Sequence, residues 1–216
     1  MPVGEDARDV ILPVKTGQPV LDVCGEAGFA LLSVADNIHA CVNLLDRAAQ
    51  ARLARVYPVG AVTKGQAGEQ LAQIGELRAA GCVAVSDDGR PVANASLMRR
   101  ALEYAAMFDM PVIDHCEDVS LAGDGVAHEG HHAAVLGLRG LPGVAEEIIV
   151  ERDVTLSGLT GSPVHIAHIS ARGALDAVRS GKDRGIRVSC EVTPHHFTLT
   201  DEQLAGYDTN YKMNPP

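Results

Sequence analysis

The stretch Cys82–Asp118 decides how the rest of the chain is read: CVAVSDDG at 82–89, a helix-period segment over Asn94–Phe108, then MPVIDHCED at 110–118. Two short β-branched apolar runs, Cys82–Val85 and Pro111–Ile113, lead straight into Ser86-Asp87-Asp88 and Asp114-His115-Cys116. A strand ending in acid or imidazole, a helix, and a second such strand make the sequence form of a parallel α/β unit. Functional groups in such folds gather at the C-terminal ends of the strands.

Outward from this stretch the same alternation continues. Upstream, Val56–Thr63 reads as a strand and Glu69–Ala80 as a helix closed by Gly81. Asn37 is placed to cap a helix running through Val42, Leu45, Ala49 and Leu53, and Val10–Leu12 and Phe29–Val34 are weaker strand candidates. Downstream, Ser120–Pro142 reads as a long Gly- and His-containing loop, and Val144–Leu159 as a helix. Val164–Ser170 is a strand, Gly173–Ser180 a helix, Arg187–Thr193 a strand and Leu204–Pro216 an irregular tail. The alternation predicts a parallel sheet with crossover helices, as an open doubly wound sheet or a (β/α) barrel. No G-x-G-x-x-G or P-loop follows a strand, which argues against nucleotide binding.

Composition narrows the function classes. With 216 residues, 46% of them hydrophobic, the chain can bury a real core. Its net charge of -10 argues against nucleic-acid and anionic-membrane partners. The five cysteines lack any CxxC and read as buried, reduced thiols of a cytoplasmic protein. No apolar run approaches the length of a membrane span.

Four successive strands end in residues able to bind metal or move protons: Asp88, His115, His168, and Glu191 with His195-His196. A single histidine at a strand end is ordinarily a hydrogen-bonded core residue. Several at the same end of consecutive strands converge on one rim, and imidazole with carboxylate suits zinc or a similar divalent ion. Neighbouring candidates have plainer readings. His131-His132 and His128 lie in a polar loop, where histidines are normally solvated. Cys116 and Asp87 each adjoin an inward-pointing residue, so they should face away, as a packing thiol and as a cap or loop anchor. His165 lies three before His168 and should take the opposite face, as a core residue or one behind the ligands.

From about Asn37 to Pro216 the chain resembles class I, bacterial-type dihydroorotase of the amidohydrolase superfamily. The resemblance rests on GAVTKG, GELRAAGCVAVSDDGRPV, RRALEYA, PVIDHCED, LGLRGLP, HIAHIS, GIRVSCEVTPHHFTLTDEQL and GYDTNYKMNPP. It implies a partial (β/α)8 TIM-type barrel with zinc at its C-terminal rim. It also implies interconversion of dihydroorotate and N-carbamoyl-aspartate, in pyrimidine synthesis. By the same resemblance Asp88, His115 and His168 are metal ligands and Asn214 contacts the substrate.

The departures shape the expectation. No H-x-H-x-R precedes Asn37, and no strand-eight aspartate follows Asn214, so the first and last barrel strands are expected to be missing or altered. Residues 1–34 match nothing in the family, and 35–216 are expected to form the partial barrel. No catalytic base of the family is retained, so weak or no hydrolysis is expected of the chain alone. The alternative is a non-catalytic dihydroorotase-like subunit supporting aspartate transcarbamoylase. Exposed sheet edges would favour such a partner or a homo-oligomer. A hydantoin-type substrate is disfavoured by the SDDGRPV and EVTPHH text.

Overall fold

The computed structural model describes residues 12–13, 31–35, 38–52 and 55–216. Asn37, Leu53, Cys24 and parts of the two weaker strand candidates (10–11 and 29–30) lie outside these residues. The chain forms two compact units, Met1–Asp87 and Asp88–Pro216.

In the first unit, strands β1 (Leu12–Pro13), β2 (Leu31–Ala35), β3 (Val56–Gly60) and β4 (Ala84–Ser86) pair in parallel in that order. Helix α1 (Ile38–Ala51) connects β2 to β3, and α2 (Ile74–Ala79) precedes β4. Their shared core holds Val59, Val62, Ile74, Leu77 and Val85, all nearly or fully buried. Gly60 sits there because a Cβ would come within 2.7 Å of the Leu77 side chain. Cys41 on α1 and Cys82 before β4 are buried with their sulfurs 3.3 Å apart and unbridged. Burial first, then the neighbouring Cys41 sulfur, pushes the Cys82 thiol up to about 12, so it stays protonated at neutral pH.

Asp87, read as an anchor, is one. Its carboxylate accepts the Val62 amide at 2.8 Å and the Thr63 amide at 3.1 Å, and the Thr63 hydroxyl also donates to it. The Thr63 hydroxyl oxygen then accepts from Gly68 N, which closes the 64–68 turn.

In the second unit, β5 (Val112–Asp114), β8 (Val164–Ile166) and β9 (Val188–Cys190) are parallel, with Asp114, Ile166 and Cys190 in line across the sheet. Helix α3 (Ala95–Ala106) starts where the Asn94 side chain accepts from Ser96 N and Leu97 N, the ordinary N-cap arrangement. Helix α6 (Val144–Thr160) packs on α7 (Arg172–Asp183) and α3. It buries Ile149, Val150 and Val154.

Three sequence expectations are corrected here. The 120–142 segment is not a plain loop: it contains α4 (Val119–Ala122), capped by Asp118, a parallel pair β6 (Ala127–His128) and β7 (Gly140–Leu141), and α5 (His131–Leu136). These pieces are too short for any hydrophobic period to mark them. The tail carries two 3-10 turns, Asp201–Gly206 and Thr209–Tyr211. The strand at 164 ends at Ile166, because the backbone leaves the extended region and His168 sits at φ 35°. Among the described residues, no helix is long and apolar enough to cross a membrane.

Candidate metal centre

Three side chains separated by 80 positions meet in the second unit. Asp88 stands at its first position, His115 follows β5, and His168 lies two residues beyond β8. His115 Nδ1 is 3.0 Å from His168 Nε2 and 3.8 Å from Asp88 Oδ1, and Asp88 Oδ1 is 3.4 Å from His168 Nε2. Zinc ligands at about 2.0–2.1 Å in a tetrahedron stand roughly 3.3 Å from one another. The triangle of donor atoms therefore has the size of one tetrahedral face, and its imidazole–imidazole–carboxylate chemistry fits a borderline divalent ion.

The electrostatics suit that use. Hydrogen bonding to His168, opposed by burial, holds the Asp88 carboxyl below its usual range. Burial and then the neighbouring His168 lower His115, which keeps that imidazole neutral. Burial is the largest single effect on His168 and pulls it down, but the hydrogen bond to Asp88, the Asp88 charge and smaller contributions together make the net shift upward. The positive φ of His168 is an uncommon conformation for a non-glycine residue, of the kind that persists where surrounding bonds over-determine it.

Several supports were not legible in sequence. Glu117 Oε2 lies 3.6 Å from His115 Nε2, the ring nitrogen turned away from the cluster. An outer carboxylate of this kind orients a ligating imidazole. Replacing it, Glu117→Gln, is expected to weaken zinc binding about 10-fold, measured by chelator competition; parent-like affinity would refute that role. The adjacent Glu146 and Glu147 on α6 hold the turn after His168. Glu146 accepts from Ser170 N, Ala171 N and the Ser170 hydroxyl, while Glu147 accepts from Gly173 N. Gly173 admits this because any Cβ would come within 2.3 Å of the Glu147 carboxyl carbon. A Glu-Glu pair opening a helix suggests only a favourable dipole interaction from sequence, since its partners lie more than 20 residues on.

On the other side of β5, Asp114, Asp153 and Cys116 are buried beside the partly covered Arg152. The Arg152 guanidinium reaches Asp153 Oδ1 at 2.8 Å and Asp114 Oδ2 at 3.3 Å, and donates to the Val92 carbonyl at 2.7 Å. Burial first and Asp153 second push the Asp114 carboxyl well up, against the pull of Arg152. Asp114, Cys116 and Asp153 also have the spacing of a metal group, but Arg152 already supplies a cation there. Burial raises the Cys116 thiol well above its ordinary value, consistent with a packing thiol and not a nucleophile.

The other candidates lie apart from the cluster. Asn214 is exposed, and among the described residues no hydrogen bond joins its side chain to the three ligands. His196 donates or accepts through Nδ1 with Thr193 Oγ1 at 2.8 Å and binds the Pro215 carbonyl through Nε2 at 2.8 Å, which ties the C-terminal segment to helix α8 (Pro194–Thr198). His195 lines a cavity of about 240 Å³ with His128, Ser170, Tyr211 and Lys212. His131 and His132 stack edge-on at 5.3 Å, with His131 exposed.

The model of the Dihydro-orotase-like family matches residues 33–174, about two thirds of the chain. The chain belongs to the Dihydro-orotase-like family. It is 56% identical over 183 residues to a dihydroorotase of Pelobacter propionicus, covering 85% of this chain and 43% of the relative. It is 58% identical over 175 residues to a dihydroorotase of Anaeromyxobacter dehalogenans, covering 80% and 40%. The chain thus spans less than half the length of the curated relatives it matches. Among solved structures it is similar to an L-hydantoinase (dihydropyrimidinase) from Arthrobacter aurescens, with a TM-score of 0.71 at 16% identity over 89% of this chain and 46% of that one. A dihydropyrimidinase from Brevibacillus agri gives 0.61 at 15% identity over 87% and 43%. This Dihydro-orotase-like chain accordingly shares the parallel α/β fold of these solved structures.

Proposed function

We propose that the chain is the part of a zinc-dependent dihydroorotase that carries Asp88, His115 and His168 as metal ligands. Dihydroorotate and N-carbamoyl-aspartate are its substrate pair. The observation that supports this best is the triangle of donor atoms, whose edges of 3.0, 3.4 and 3.8 Å suit one ion. A bound divalent ion supplies Lewis-acid polarisation of an amide carbonyl and a water of lowered pKa.

This chain's own residues supply the rest of the site. His115 is kept neutral by burial and directs Nδ1 at the cluster, with Glu117 behind Nε2. Asp88, held in its ionised form, brings the negative charge that a cation needs. Asn214 is assigned to substrate contact on the motif resemblance alone. Residues 35–216 are read as the barrel portion and 1–34 as lying outside the family pattern. Cyclic amide turnover by the chain alone is expected to be weak or absent.

The test is zinc content and dihydroorotate turnover of the purified chain. About one bound zinc with little or no turnover supports the reading. Failure to retain zinc would sink it, and brisk turnover would overturn the expectation of a crippled site.

Self-association, or association with an aspartate transcarbamoylase, belongs to the same proposal. It is supported by Val192, Phe197 and Leu199, which are exposed just beyond β9. Light scattering of the purified chain should show a dimer or larger; a monomer that also ignores added transcarbamoylase would exclude assembly.

A further inference from the structure

Among the described residues, Cys41 is the one side chain that helix α1 buries fully. Its thiol donates to the Ala80 carbonyl at 3.3 Å and accepts from the Cys82 thiol, also at 3.3 Å. Both cysteines are 0% exposed. Leu45, one turn further along α1, lies over the same turn: a Cβ on Gly81 would come within 2.7 Å of its Cδ1. Gly81 holds φ 106°, a conformation open to glycine and strained for other residues. The helix thus rests on the 80–82 turn through Cys41 and Leu45, and that turn feeds β4.

The two sulfurs face each other across 41 positions of chain. A disulfide holds its sulfurs about 2.05 Å apart, so the pair has roughly 1.2 Å to close. Small rotations of the two side chains cover that distance. Cys116, by contrast, packs on carboxylates, with Asp153 Oδ2 at 3.6 Å.

We propose that Cys41 and Cys82 are a modification site: hydrogen peroxide converts them to a reversible disulfide that staples α1 to the turn ahead of β4. Peroxide gives one oxygen to the first thiol, forming a sulfenic acid and releasing water. The second thiol attacks that sulfur, the S–O bond breaks, and hydroxide leaves with the second thiol's proton as another water. Two thiols give up two electrons and two protons, and one peroxide becomes two waters.

Burial sets when this happens. The thiolate is the reactive form, and Cys82 stays protonated while α1 is seated. The closed pair is therefore slow to react, and the bridge forms as α1 lifts. A helix with a single buried residue is the kind of element that opens locally before the whole chain unfolds. Once formed, the cross-link stabilises chiefly by restricting the unfolded chain. The pair lies within the first unit, so this outcome is separate from the metal reading.

The test oxidises the purified chain with hydrogen peroxide, blocks remaining thiols in denaturant with N-ethylmaleimide, and maps the peptides by mass spectrometry. Cys24 and Cys41 share the tryptic peptide 16–47, so Cys24→Ser serves as the reference chain. The expected product joins that peptide to the one carrying Cys82, and dithiothreitol should return both thiols. The oxidised chain should unfold several degrees above the reduced one. Cys82→Ser should lose both the bridge and that rise; if it does not fold, the mapping of Cys24→Ser decides by itself. Recovery of Cys41 and Cys82 as separate thiols or sulfinic acids after excess peroxide overturns the proposal. A bridge that leaves the thermal midpoint unchanged or lower refutes the staple.

Discussion

His115→Ala should reduce the zinc affinity of the purified chain by more than the roughly 10–100-fold that loss of an outer partner costs. His115 is 3% exposed and reaches both of the other donors, at 3.0 and 3.8 Å. Its removal leaves one imidazole and one carboxylate, and two protein donors seldom retain zinc against a chelator. The substitution also empties a buried volume beside Asp88, so stability should be followed together with affinity. His115→Gln, which keeps a polar group of comparable reach, separates the two effects. Stoichiometric zinc retained by both variants would show that the ion, if any, sits elsewhere.

The second large effect is on stability. Arg152→Ala should lower the unfolding free energy by about 3–5 kcal/mol, the usual cost of removing one partner from a buried charge pair. Asp114 and Asp153 are 2% and 0% exposed, and the guanidinium touches both while also donating to the Val92 carbonyl. Without it, at least one carboxylate is buried with no cation, and β5 loses its tie to α6 and to the segment leading into α3. Urea unfolding of both chains measures the difference. A change below about 1 kcal/mol would mean that the two carboxyls accommodate each other without the arginine, by sharing a proton. Arg152→Lys should recover only part of the loss, since an ammonium cannot span both carboxylates and a carbonyl as a planar fork does.

These two residues differ in how visible they are in the sequence. His115 ends a strand whose apolar run stops abruptly at Asp114, and that break in pattern marks a rim residue without any tertiary knowledge. Asp88 and His168 stand out by the same sign, and alternation correctly sends Asp87 and Cys116 the other way. Arg152 carries no such mark. It lies in a helix as one of many charged residues, and its partners Asp114 and Val92 are 38 and 60 positions away. Glu117 likewise reads as an ordinary acid until the strands beside it are paired.

The small elements between 119 and 141 escaped for a related reason. A four-residue helix or a two-residue strand contains no full period, so its existence depends on caps such as Asp118 and on bonds such as Val126 N to the Arg139 carbonyl. The pattern of short apolar runs ending in acid or imidazole was enough to establish a parallel α/β chain with Asp88, His115 and His168 at its strand ends, because burial and alternation are local properties. The tertiary structure alone decided that their donor atoms come within 3.8 Å of one another and that Glu117 stands behind His115. Those distances depend on register and side-chain direction across separate strands, which no local period encodes.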